Sequence, residues 1–278
     1  MAPASLSELV ADGLLHRHRI DGDKPGTLNG WHILHLDAPA SGAGGSWKTG
    51  QRVGWCGKRQ SAFTASERAE IARRITEDRK RAQEAVEARH RAAAERAAHI
   101  WKQSAPASRN HPYLTKKQIG PSIARQRGDS LVLPVRDFSG ALHGLQFIGP
   151  DGSKKFLPGM TKQAHFIPTG EQPDGSRPLW IAEGFATAAT LAAMRPAVQV
   201  IAALDAGNLR SVAIEARRRW PDLALVIVPD FDAIGIRKGR EAAEAARAMI
   251  LPAPASVPPG ASDWNDVMAA KRQGVRHG

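Results

Sequence analysis

Cysteine is almost absent: Cys56 is the only one in 278 residues. That excludes an internal disulfide and any zinc ribbon needing two or more thiolates, and it fits a reducing cytoplasm. Tyrosine is equally scarce, with Tyr113 alone. No run of about 18 apolar residues occurs, so no bilayer-spanning helix and no membrane partner is expected. The opening MAPASLSELVADGLLHRHR lacks an early basic segment followed by an apolar one, which argues against a secretory signal. Acidic residues are the minority charge, 27 against 39 Lys and Arg, a formal net charge of +12. Such a surplus favours polyanionic partners, with nucleic acid ahead of a membrane surface or an acidic protein.

What is present changes character along the chain. Residues 1–63 are rich in Gly and Trp, with a short alternating run over Trp31–Leu36 and turn signals at Asp21-Gly22, Asn29-Gly30 and Gly42 to Gly45. They read as a small antiparallel β module. Residues 64–105 turn to Ala, Arg and Glu, with Ser66 as the expected cap and Glu70/Arg74, Glu77/Arg81 and Glu87/Arg91 spaced as helical ion pairs. A helix of about 39 residues within it, from 66 to about 104, would run roughly 58 Å. Its large apolar residues are sparse, so it reads as a solvated connecting arm, the other reading being a nucleic-acid or helix contact along Arg79-Lys80-Arg81.

Ser104 to Ser108 reads as a linker into a basic segment, residues 106–176, with expected strands at Leu131–Val135 and Leu142–Ile148. Residues 177–270 alternate strand and helix: Leu179–Ala182, Phe185–Met194, Val198–Leu204, Asn208–Trp220, Leu223–Val228 and a helix from about Lys238 to Ile250. Alternation with short connections implies a parallel sheet with crossover helices. Residues 271–278 are left as a basic tail. The lone histidines, His16, His18, His32, His35 and His165, read as surface or packing residues.

In open parallel sheets ligands gather beyond the carboxyl ends of the strands. Glu183 follows the first expected strand, Asp205 the second, and Asp230-Phe231-Asp232 the third. Clustered carboxylates repel and need a cation to stay ionised together, and an all-oxygen set selects Mg²⁺ or Mn²⁺ over zinc. Asp205 alone also reads as a helix cap.

Glu183-Gly184 after one apolar strand, with Asp230-Phe-Asp232-Ala-Ile-Gly235 after a later one, resembles the Toprim domain. Ser262-Asp263-Trp264-Asn265-Asp266 is similar to the acidic motif that bacterial primases place after their Toprim strands. Upstream, His111-Pro112-Tyr113-Leu114, Leu131–Asp137, Gly144–Ile148 and Lys154–Gly159 follow the order of plasmid- and phage-type Toprim primases. Trp31 and Ala43–Gly50 look like the front of those proteins. The likeness covers about 200 residues or more.

The resemblance implies an α/β fold (α+β overall): a Toprim Rossmann-like parallel sheet, a preceding mixed β subdomain, a long connecting helix and a small N-terminal β module. It implies a DNA primase that makes short RNA primers from nucleoside triphosphates on a single-stranded DNA template. The open alternatives are a Toprim metal-dependent nuclease and a non-catalytic single-strand-binding accessory protein. Glu183, Asp230 and Asp232 are the implied catalytic and metal-holding residues, with Asp263 a further ligand; Asp205 and Asp266 stay open. Mg²⁺ or Mn²⁺ is the implied cofactor, with no zinc.

Thr187 stands where replicative primases usually carry an Asp, and no zinc-binding domain can form from one cysteine. The polyanionic substrates call for basic neighbours: Arg109, Lys116, Lys117, Arg125, Arg127, Lys154, Lys155, Lys162 and Lys238. Trp31 and Trp47 are candidates for stacking on template bases, or form the core of the β module. A topoisomerase would need a nucleophilic tyrosine on a gate domain, and Tyr113 follows a proline beside a linker. No Gly-x-x-x-x-Gly-Lys-Ser/Thr run occurs, so unwinding would fall to a separate replicative helicase.

Overall fold

A computed structural model of the chain describes residues 3, 5, 7, 9–37, 39–58 and 63–275. Residues 59–62 of the expected front module and 276–278 of the expected tail lie outside the described residues. Two compact units divide between Ala88 and Arg89.

In the first unit, β1 (His16–His18), β2 (Gly30–His35), β3 (Ser41–Ser46) and β4 (Arg52–Cys56) form an antiparallel sheet in chain order. The Gly42 to Gly45 run, expected as a turn, is the middle of β3 instead. What the strand uses is the missing side chain: a Cβ on Gly45 would stand 2.7 Å from Trp31 Nε1 and 2.4 Å from the Gln51 carbonyl oxygen. Trp31 therefore lies across the strand, and the glycines leave it room.

Helix α1 (Ala65–Gln103) begins in this unit and ends in the next. Its cap is Thr64 rather than Ser66. Thr64 Oγ1 accepts from the Glu67 N–H at 3.1 Å, and Glu67 Oε2 accepts from the Thr64 N–H at 2.8 Å, a reciprocal capping box. Lys58 Nζ reaches the same carboxylate at 2.7 Å, and these bonds hold the Glu67 carboxyl down at about 2. Of the expected helix pairs, Arg74 meets Glu70, while Arg81 turns to Asp78 and Glu77 is taken by Arg73.

The second unit carries two sheets. One is antiparallel, in the order β5 (Ala105–Pro106), β6 (Arg125–Arg127), β7 (Ser130–Arg136), β8 (Leu142–Ile148) and β9 (Lys154–Phe156), with helix α2 (Pro112–Lys117) between β5 and β6. The stretch expected as a linker thus starts a sheet, pairing Ala105 with Gln126.

The other sheet is built from β10 (Ile167–Pro168), β11 (Leu179–Ala182), α3 (Phe185–Met194), β12 (Gln199–Ala202), α4 (Leu209–Arg219), β13 (Leu225–Val228), α5 (Ala233–Ala246) and β14 (Met249–Ile250). Its order is β10-β12-β11-β13-β14, parallel except for the edge strand β10. Helix α6 (Trp264–Val275) follows and runs through part of the expected tail.

The three central strands, β11, β12 and β13, are four residues long and covered on both faces, which is why they read as continuous apolar runs. Leu179, Ile181, Ile201, Leu225 and Ile227 pack under α4 and α5, against Val212, Ala213, Ala216, Ala242, Ala243 and Ala246. Ala182, Val200, Ala202, Val226 and Val228 face α3 and share a core with Leu131, Leu133, Val135 and Ile148 of the antiparallel sheet. One core therefore joins both sheets of this unit.

Helix α5 starts five residues earlier than the expected Lys238, because Asp232 caps it: its Oδ1 accepts from the Gly235 N–H at 2.6 Å. It ends at Arg247 in a left-handed turn, φ 49°, which releases the chain into β14.

Ile181 is fully buried at the centre of β11, with a hydrogen-bonded strand on each side. Ile181→Ala should cost about 2–5 kcal/mol in chemical denaturation, through lost burial and the cavity left under α4 and α5.

Candidate active site

The strand order reverses at β11: α3 leads to β12 on one side, and α4 crosses back to β13 on the other. Glu183 leaves β11, Asp205 follows β12 and Asp230 follows β13, so all three stand at the carboxyl edge around the reversal, where open sheets bind ligands.

The turn after β13 is dictated locally. A Cβ on Gly235 would stand 2.7 Å from the Asp230 carbonyl oxygen, so the first turn of α5 can lie over the Asp230 peptide only with glycine there. Gly239, one helical turn on, lies against the Pro229 ring, where a Cβ would meet ring carbons at 2.7 and 2.8 Å. The two glycines let α5 approach the end of β13 and fix where Asp230 and Asp232 emerge.

The electrostatics of the edge are unfavourable without a counter-charge. Glu183 Oε2 and Asp230 Oδ1 are buried and have no hydrogen-bond partner among the described residues. Burial, and then the charges of Glu183 and Asp263, push the Asp230 carboxyl up to about 7, with Lys154 opposing. Burial and the charge of Asp232 likewise raise Glu183, against the backbone N–H groups of Asp230 and Ala206. Asp232 is exposed, with one oxygen committed to the cap. Asp263 Oδ1 accepts from the Asp266 N–H at 2.9 Å. The orphaned oxygens and the all-carboxylate donor set fit a hard divalent cation.

Around this edge the structure divides the expected residues. Asp205 caps the turn at Ala206–Asn208 and pairs with Lys162 at 2.7 Å. Asp266 binds Lys117 at 2.8 Å and the Ser262 N–H at 3.1 Å, tying α2 to α6. Asn265, fully buried, donates to the Lys117 carbonyl oxygen and to Thr190 Oγ1, completing that tie.

Lys154 reaches the site: its Nζ lies 3.8 Å from where a Gly184 Cβ would stand. Arg109, Lys116, Arg127 and Lys155 are exposed. Lys238 pairs with Glu241 at 2.6 Å, and Arg125 stacks on Trp101 with its guanidinium 4.5 Å from the ring centroid. Trp47 is exposed and Trp31 half-buried, their rings 6.0 Å apart in the first unit.

Tyr113 is buried with its hydroxyl unpartnered among the described residues. Burial, then the charges of Asp263 and Asp266, push it above its ordinary range. Tyr113 and Asn265 thus neighbour the site, which no spacing in the sequence indicates. The proximity of both motifs to the site follows from packing, not spacing. Among the described residues no helix is long and apolar enough to cross a membrane.

Residues 178–273 of the chain match the Toprim domain, and the chain carries that domain there. More particularly, it is similar to two proteins from Escherichia coli, each named DNA primase TraC. One is 33% identical over 250 residues, 85% of this chain and 17% of that protein. The other is 32% identical over 255 residues, 86% of this chain and 24% of that protein. The chain thus spans about a quarter or less of the length of these relatives. The primase fragment of the bacteriophage T7 primase-helicase protein has a TM-score of 0.45 at 15% identity, covering 59% of this chain and 72% of that one.

The raised Asp230 carboxyl makes a signed prediction. The folded state holds its proton up to about pH 7 and the unfolded chain only to about 3.8, so stability falls as pH rises through that window. Asp230→Asn should therefore raise the melting temperature by a few degrees near pH 8 without divalent ions. Mg²⁺ should stabilise the wild type more near pH 8 than near pH 5.5, and the variant little at either, measured by calorimetry.

Proposed function

We propose that the chain is the catalytic portion of a DNA primase, a nucleotidyltransferase that joins nucleoside triphosphates into short RNA primers on single-stranded DNA. The observation that carries this reading is the pair of buried, unpartnered carboxylate oxygens of Glu183 and Asp230 at the reversal of a Toprim sheet. The similarity to DNA primase TraC supports the choice of primase within the superfamily.

Glu183, Asp230 and Asp232 hold Mg²⁺ (or Mn²⁺), with Asp263 as a further ligand. The cation supplies charge neutralisation at the triphosphate when bound. In the reaction a 3′-hydroxyl attacks the α-phosphate and pyrophosphate leaves. Glu183, held above the ordinary carboxylate range by burial, is the proton acceptor or donor beside that phosphate.

Lys154 contributes a positive charge at the same edge, and exposed Arg109, Lys116, Arg127 and Lys155 offer phosphate contacts to the template. Lys117, Lys162, Lys238 and Arg125 act on the substrates through the positions their partners fix. The buried Tyr113 is not available as the nucleophile of a strand-passage reaction. Exposed Trp47 with Trp31 forms a stacking platform for template bases, and a separate helicase supplies unwound template.

The test is incubation of labelled nucleoside triphosphates with a single-stranded DNA circle. Labelled primers support the proposal; a shortened template would make the chain a nuclease, and a shifted template without product would make it a binder. Asp232→Asn, which keeps an α5 cap while removing the charge, should lower synthesis by at least about a hundredfold with template binding retained. Retained synthesis would remove Asp232 from the site. Trp47→Ala should weaken template binding roughly tenfold or more in a polarisation assay, without unfolding the chain.

A further inference from the structure

Three side chains that no sequence spacing connects meet at the joint between the two sheets of the second unit. Asp137 follows β7, His143 lies on β8, and His165 immediately precedes the segment leading into β10. One ligand atom from each lies within 4.8 Å of the others, and among the described residues this is the one such group of three. His143 Nε2 stands 2.8 Å from Asp137 Oδ2, and the two imidazole rings are 4.1 Å apart, edge to face. All three residues are half-buried.

Two of the three ligands, Asp137 and His165, are oriented by neighbours that do not themselves ligate. Asp137 Oδ1 accepts from the Ser139 N–H at 2.8 Å, Ser139 Oγ at 2.6 Å and the Ala141 N–H at 3.1 Å, which leaves Oδ2 turned to the imidazoles. His165 Nδ1 is 2.6 Å from the Gln163 carbonyl oxygen. A carbonyl oxygen only accepts, so Nδ1 carries the proton and Nε2 presents its lone pair. Imidazole fixed through its second nitrogen, and carboxylate fixed through its second oxygen, are the supports that metal ligands use.

The geometry points to a second metal site, for a divalent transition ion of Zn²⁺ type, held by Asp137 Oδ2, His143 and His165 with its remaining position open to water. Two imidazole nitrogens and one carboxylate oxygen suit Zn²⁺, whereas Mg²⁺ takes oxygen ligands and belongs to the carboxylate edge. The scarcity of cysteine excludes a thiolate site and says nothing against these donors.

The site's place defines its role. Arg136 and Phe166, the neighbours of Asp137 and His165, exchange two backbone hydrogen bonds of 2.8 and 2.9 Å. The His165 carbonyl oxygen accepts from Asn208 Nδ2, and Lys162 pairs with Asp205 at the carboxyl edge. An ion at this joint bonds the β7–β8 hairpin to the strap that ends as the edge strand of the Toprim sheet. It staples the basic subdomain to the catalytic one, and none of its ligands belongs to the carboxylate edge.

The test uses the full 278-residue chain, free of any affinity tag and stripped with a chelator, titrated with Co²⁺ and then Zn²⁺. The expected result is a visible Co²⁺ spectrum of mixed nitrogen and oxygen coordination, displaced by Zn²⁺, and a rise in melting temperature with Zn²⁺. His143→Gln and His165→Gln should each weaken Zn²⁺ binding roughly tenfold or more, while Glu183→Gln leaves it unchanged. Should either histidine variant lose its native circular dichroism, Asp137→Asn, which keeps the shape of the turn, decides in its place. Absence of the Co²⁺ spectrum in the wild type, or unchanged Zn²⁺ binding in the folded variants, would overturn the site.

Discussion

Carboxylate crowding at the end of a doubly covered parallel sheet is the constraint that the rest of the second unit has to accommodate. Oε2 of Glu183 and Oδ1 of Asp230 are buried and have no donor among the described residues, while Asp232 and Asp263 add charge of the same sign. Burying such groups disfavours their charged forms, and neighbouring negative charge deepens the effect. The arrangement is tolerable because the sheet beneath is held by packing that does not depend on the site; under the proposed function a bound cation would relieve the repulsion.

That packing is made by small residues. Ala213, Ala216, Ala242, Ala243 and Ala246 let α4 and α5 lie close to Leu179, Ile181, Leu225 and Ile227. Gly235 and Gly239 carry the close approach to the end of β13, where the two aspartates emerge. On the other face α3 is tied through Thr190 to Asn265, and Asn265 to Lys117 of α2. The motif after the sheet is therefore divided in labour. Asp263 turns to the carboxylate edge, while Asn265 and Asp266 hold the helices that frame it.

Much of this unit was legible from residue pattern. Short apolar runs such as Leu179–Ala182, alternating with helical segments over short connections, read as strands of a covered parallel sheet, and acidic residues at three strand ends point to a site. Other parts were not. The Gly42 to Gly45 run reads as a turn because glycine is usually needed for its backbone freedom; here it is needed for the side chain it lacks, beside Trp31. The start of α5 was missed because Gly235 and the branched Ile234 and Ile236 look unhelical, and the Asp232 cap outweighs them. The basic residues looked alike in sequence, yet Lys117, Lys162 and Lys238 are paired with carboxylates while Lys154 reaches the acidic edge.

Periodicity and strand-end chemistry are local properties, carried by neighbours in the chain, so element types, the parallel sheet and the strand-end positions of Glu183, Asp230 and Asp232 are legible in the sequence. Partnership between distant residues is not local. Whether a lysine is free or paired, whether Tyr113 is buried under Asp263, and whether His143 and His165 meet Asp137 depends on how two sheets share one core. Those distances are set by side-chain volumes packed across the whole unit, and only the folded chain brings them together.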